Sequence, residues 1–173
     1  AIEAALSARG TPMRVYWGNR NWAPYVTDAL EEMARDGVKR ALALATSAFG
    51  SDSGCSQYVG DIAKACATVE GAPVIDKLRH FYDHPGFVEA QADRVRVALA
   101  SLPAEHQQSA RLVFTAHSVP RSLAAGAPYV SQLKESARLV AGLVAREEHD
   151  LVWQSRSGPP QVPWLDPDVS DHL

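Results

Sequence analysis

The chain has 173 residues, of which 46% are hydrophobic, with a formal charge of −3 and a pI near 6.1. That length and apolar content suit one packed domain, or one domain with an extra lobe. The mild acidity argues against a nucleic-acid binder; no apolar run reaches the length of a membrane span, no charged-then-apolar leader is visible, and two cysteines make no disulfide framework, so a reducing cytosol is the expected setting.

In chain order, residues 1–9 read as the tail of a helix that Gly10 stops. Residues 13–17 form a short apolar run before Gly18, consistent with a strand. Trp22, Tyr25, Val26, Ala29, Leu30 and Met33 then recur at helical spacing up to the stop at Gly37. Residues 41–45 are almost continuously apolar, the mark of a strand covered on both faces. A small polar loop, 46–54, follows. Tyr58, Ile62, Ala65, Cys66 and Val69 mark the next helix; Gly71-Ala72-Pro73 breaks it, and Val74-Ile75 opens a short strand. Residues 87–102 form a third, less cleanly patterned helix, and 111–115 a strand. Val130, Leu133, Ala137, Val140, Ala141 and Val144 make a clear helical stripe, and Leu151-Val152-Trp153 a last short strand. The Gly- and Pro-rich stretch 156–168 reads as an ordered loop, and 168–173 as the first turn of a helix. This alternation predicts an α/β fold, three-layer and Rossmann-like, with a mostly parallel sheet.

Parallel strands joined by right-handed crossovers bring their carboxyl ends to one edge. Four loops leave those ends: 18–22, 47–56, 117–128 and 154–164. Together they hold one histidine, Arg20 and Arg156, several hydroxyls, Trp22 and Trp164. That mixture suits a flat aromatic ligand bearing acidic groups, because indole faces pack on a planar ring and guanidinium or hydroxyl donors hold carboxylates. The Ser-rich loop 47–56 contains Gly50 and Gly54, but lacks both the Walker lysine and the dinucleotide glycine spacing.

Other reactive side chains have plainer readings. His80 and His84 lie one helical turn apart, but Pro85 breaks the shared face and leaves a surface loop. His149 sits among Glu147, Glu148 and Asp150 just before a strand and reads as solvated. Cys66 fits the apolar stripe of its helix, while Cys55 lies on the Ser-rich loop; their spacing matches no thiolate metal pair. Ser118 directly follows His117, and Gly-x-Ser-x-Gly is absent, so no Ser-His-Asp arrangement can be argued.

The most informative stretch is Phe114-Thr115-Ala116-His117-Ser118-Val119-Pro120. It sets one imidazole where a strand gives way to a loop. A lone histidine there is more often structural than catalytic. Yet the crevice beyond strand carboxyl ends is where open α/β sheets bind ligands, and imidazole has a usable proton and lone pair near neutral pH.

Three blocks together carry a resemblance: Ala116-His117-Ser118-Val119-Pro120, Val152-Trp153-Gln154-Ser155-Arg156-Ser157-Gly158-Pro159-Pro160-Gln161-Val162-Pro163-Trp164-Leu165, and Gly18-Asn19-Arg20-Asn21-Trp22-Ala23-Pro24. In content, order and spacing they resemble the ferrochelatases across nearly the whole chain, in the style of the actinobacterial branch. The resemblance implies insertion of Fe(II) into a porphyrin, coproporphyrin III in that branch, during haem biosynthesis in the cytoplasm. It implies His117 as the iron-binding or proton-accepting residue, and Tyr58, Trp164, Arg20, Asn21 and Ser51 as porphyrin contacts. Porphyrin and ferrous iron are the implied partners, and Fe2+ enters as substrate.

Two departures qualify the match. The family pairs its histidine with a glutamate in a Ser-Asp-His-x-Glu block well downstream; Ser170-Asp171-His172 imitates the start of that block but follows Pro163-Trp164-Leu165 too closely. Many relatives also hold a [2Fe–2S] cluster, with Cys55 in place for one ligand and the others absent here. The expectation is therefore that residues 1–173 are the end of a first lobe and most of a second, with N- and C-terminal parts missing, and that the piece alone is weak or inactive. The competing readings are a cobalt or nickel tetrapyrrole chelatase and a non-catalytic haem-binding Rossmann-like module.

Overall fold

A computed structural model describes residues 1–51, 56–159 and 161–172. They fall into two compact units, 1–45 with 55–78, and 46–54 with 79–173. Within the described residues the fold is α/β, and every strand ladder is parallel.

The first unit contains α1 (Ile2–Ala8), α2 (Val26–Arg35), β1 (Arg40–Ala43), α3 (Gln57–Thr68) and β2 (Val74–Lys77). The Asp28 carboxylate accepts the Tyr25 backbone N–H at 2.7 Å, satisfying a donor that the start of α2 would otherwise orphan. Gly37, at φ +74°, ends the helix, its N–H bonding the Ala34 carbonyl while Val38 N–H reaches Met33. The helix buries Ala29 and Leu30 and packs against α3, which buries Ala65. β1 pairs with β2 in the register Arg40 to Val74 and Ala43 to Lys77.

Two strand expectations need correction in this unit. Residues 13–17 form no strand among the described residues; Trp17 is 69% exposed, because the apolar run has no neighbouring strand to complete a ladder. β1 is not covered on both faces, since Leu42 is 58% exposed and Leu44 is exposed beside it.

The second unit contains α4 (Pro85–Ala100), α5 (Ala104–Gln107), β3 (Leu112–His117), α6 (Arg121–Ala125), α7 (Tyr129–Leu143), β4 (His149–Gln154) and α8 (Val169–His172). His84 caps α4: its Nδ1 accepts the Gly86 N–H at 3.2 Å, and Pro85 takes the first helical position, where its missing N–H costs nothing. The stripe on α7 is buried as its period predicts. Val140 meets Val88 and Ala92 of α4, flanked by Val95, Phe114, Leu139 and Val144. A second cluster, Ala116, Leu133 and Trp153, is enclosed by Phe49, Tyr129, Val130, Leu151 and Leu165. It takes in Ala116, the next-to-last residue of β3, and so anchors the end of that strand. β4 starts earlier than the apolar run alone indicates: His149 belongs to it and packs edge-on to Phe114, with ring centroids 5.7 Å apart, where the sequence had it solvated.

Candidate functional site

His117 is the last residue of β3, paired in register with Gln154 of β4. Its side chain is exposed, while its neighbours Ala116 and Ser118 are buried. Nδ1 lies 2.7 Å from the Ser118 carbonyl oxygen. A carbonyl only accepts, so in this bond Nδ1 carries the proton and donates it. The neutral ring is thereby held as the tautomer whose free lone pair is on Nε2. Backbone carbonyls orient metal-binding histidines in the same manner.

The backbone around His117 is tied on several sides. The Tyr129 hydroxyl, at the start of α7, donates to the His117 carbonyl at 3.1 Å. Ser118 N–H donates to Gln154 at 2.8 Å, and its hydroxyl to the Leu165 carbonyl at 2.9 Å. Leu165 N–H returns to Val119 at 3.0 Å, and Pro120 bridges to Trp164. Arg121 adds a 2.6 Å ion pair to Asp166. The loop after β3 and the Pro-Trp-Leu segment are therefore zipped together, which brings the stretches holding His117 and Trp164 into one assembly. Trp164 is half-buried and packs on Gly158; a Cβ there would come 3.2 Å from Cζ2, and φ of +122° already favours glycine.

Ser51 also belongs to this unit and is half-buried; the adjacent Gly50 N–H donates to the Gln132 side chain at 2.7 Å. In the first unit, Arg20 and Tyr58 come together, with the Arg20 Cζ 5.5 Å from the ring centroid. Asn21 is exposed, as is Trp22 at 78%. The loop carrying these residues does not leave a strand as expected; it closes on itself through the Asn19 N–H to Pro24 bond and a bridge between Asn19 and Tyr25.

Cys55 lies outside the described residues. Cys66 is half-buried on α3. A [2Fe–2S] cluster needs more thiolates than the two cysteines of these 173 residues supply, so the donor set present does not fit a closed cluster. Among the described residues no group of histidine, cysteine and carboxylate side chains forms a metal cage, and no helix is long and apolar enough to cross a membrane.

Sequence reasoning missed Gln57 and Asp61, which bond Arg20, and Tyr129, which holds the His117 carbonyl. The signal for the first pair was their one-turn spacing beside Tyr58 on α3. Ser118, set aside as a nucleophile, proves to be a buried tether.

A family model for ferrochelatase matches residues 1–173. The chain is 55% identical over 177 residues to the coproporphyrin III ferrochelatase of Mycolicibacterium smegmatis, covering 100% of this chain and 52% of that protein. It is 54% identical over 181 residues to that of Nocardia farcinica, and 47% over 192 residues to that of Streptomyces coelicolor, covering 99% and 100% of this chain. The chain spans about half the length of these relatives, 51% in both of the latter. On the match along its entire length, the chain belongs to the ferrochelatase family.

Proposed function

We propose that the protein takes part in inserting Fe(II) into a porphyrin, with coproporphyrin III as substrate, in haem biosynthesis in the cytoplasm. The observation that carries this reading is the Nδ1 bond from His117 to the Ser118 carbonyl, which leaves the Nε2 lone pair on an exposed ring. A lone pair held in one direction can bind ferrous iron or accept a proton, and metallation needs both services: iron enters as both pyrrole N–H protons leave. The names of the relatives, coproporphyrin III ferrochelatases, point the same way.

In this reading Trp164 offers a face to the macrocycle, Ser51 a hydroxyl, Tyr58 a phenol or ring face, and Arg20 and Asn21 donors for peripheral carboxylates. Residues 1–173 are assigned as the end of one lobe and most of a second. Full activity then draws on groups outside them, including an acidic partner for His117, so the chain alone metallates slowly. Cys55 stays as a cluster ligand only in company with thiolates from elsewhere.

Titration of the chain with coproporphyrin III, followed in the Soret band with and without anaerobic Fe(II), tests the reading. An iron-dependent shift to the metalloporphyrin spectrum supports it. Haem binding without any metallation supports a binding module instead.

A further inference from the structure

Arg20 is clamped by α3. Its Nε donates to Asp61 Oδ2 at 2.6 Å and its Nη1 to Gln57 Oε1 at 2.6 Å, while the guanidinium stands over the Tyr58 ring at 5.5 Å. Gln57 and Asp61 lie one turn apart and so share a helix face with each other. The Arg20 side chain is 22% exposed, whereas every other arginine in a described ion pair is 41% exposed or more. A partly buried pair is screened less by salt and water than those surface pairs. An unrestrained arginine would pay rotamer entropy to grip a ligand; here that ordering is already in place.

We infer that Asp61 and Gln57 are positioning residues, which fix the Arg20 guanidinium against Tyr58 so that its remaining N–H groups meet a peripheral carboxylate of the porphyrin without further ordering. This rests on the proposed porphyrin reading of Arg20 and Tyr58. Because Asp61 already balances the charge, Arg20 acts through directed hydrogen bonds more than through long-range attraction.

The test measures coproporphyrin III affinity by fluorescence quenching for the parent chain, Arg20→Ala, Asp61→Ala and the double variant. Far-UV circular dichroism checks folding, and Asp61→Asn and Gln57→Ala carry the test if Asp61→Ala does not fold. Losing a charge-assisted bond gives about a tenfold weakening in Arg20→Ala and nearly as much in Asp61→Ala. The double variant is no weaker than Arg20→Ala, since Asp61 acts through Arg20. The tetramethyl ester of the same porphyrin, lacking carboxylates, binds all variants alike. Unchanged or tighter binding by Asp61→Ala while Arg20→Ala weakens overturns the positioning role alone, as does an equal loss for the ester. Unchanged binding by Arg20→Ala, or no binding by the parent chain, removes the porphyrin reading and the positioning role with it.

Discussion

The Ser118 hydroxyl donates to the Leu165 carbonyl at 2.9 Å, joining the residue after His117 to the residue after Trp164. Ser118 is only 1% exposed, so no water replaces the bond when the hydroxyl is lost. Ser118→Ala leaves the Leu165 carbonyl without this donor and lowers stability by about 1–2 kcal/mol. Urea unfolding of the parent and the variant measures it. An unchanged midpoint would mean that the tether is idle.

Tyr129 gives the alkaline side of the stability profile. Burial raises its phenol above the ordinary 10.0, so the folded state holds the proton more tightly than the unfolded chain. The resulting stabilisation is complete below a pH of about 10 and is lost as pH climbs through the raised value. Tyr129→Phe removes that part of the alkaline fall. Tyr16, raised by burial and by its bond to Asp36, keeps its own share in both proteins. Urea midpoints followed across that range read the difference.

Carboxylates set the acid side. The hydrogen bond from Arg79 lowers Asp83, and that from Arg138 lowers Glu135. Burial opposes the shift at Asp150, but its bond and charge interaction with Arg111, aided by His172, lower it too. Depressed folded values stabilise the protein above the ordinary carboxylate range, and that contribution disappears as pH falls through them. Asp150→Asn flattens part of this acid limb in thermal melts: its midpoint lies a little below the parent's at neutral pH, the small difference befitting a solvent-screened pair, and the two converge as pH falls. An acid limb of undiminished slope would contradict the assignment.

Two glycines separate packing from propensity. A Cβ on Gly18 would lie 2.8 Å from the Val26 Cα and 3.1 Å from the Tyr25 carbonyl oxygen, against backbone that opens α2. Gly18→Ala costs about 1–3 kcal/mol. Gly60, on α3, has nothing within 4 Å of the same atom, and Gly60→Ala is neutral or stabilises by up to about 1 kcal/mol. Chemical denaturation of the pair decides whether the loop before α2 is as closely packed as its geometry shows.

Periodicity made the α/β alternation legible wherever one stripe was buried, as on α7, or wherever an apolar run had a parallel partner, as in β3 with β4. It failed at residues 13–17, where the pattern of a strand exists but no neighbour pairs with it among the described residues. It also failed for the faces of β1, because continuous apolar residues state a preference for burial without supplying the cover. In the site, the motif singled out His117, and the strand-end position follows from the run before it. Its tautomer was not legible, since that depends on one carbonyl angle in the turn. Nor was the Arg20 pair with Asp61, which closes over 41 residues of chain.

The most direct measurement compares the parent chain with His117→Ala, mixing excess protein with coproporphyrin III and Fe(II) without oxygen and following the Soret band. His117 is exposed, so its truncation leaves the fold and the melting temperature nearly intact. The parent is expected to convert the porphyrin slowly to its iron form, and His117→Ala to leave it metal-free. Equal conversion by both proteins would contradict the account.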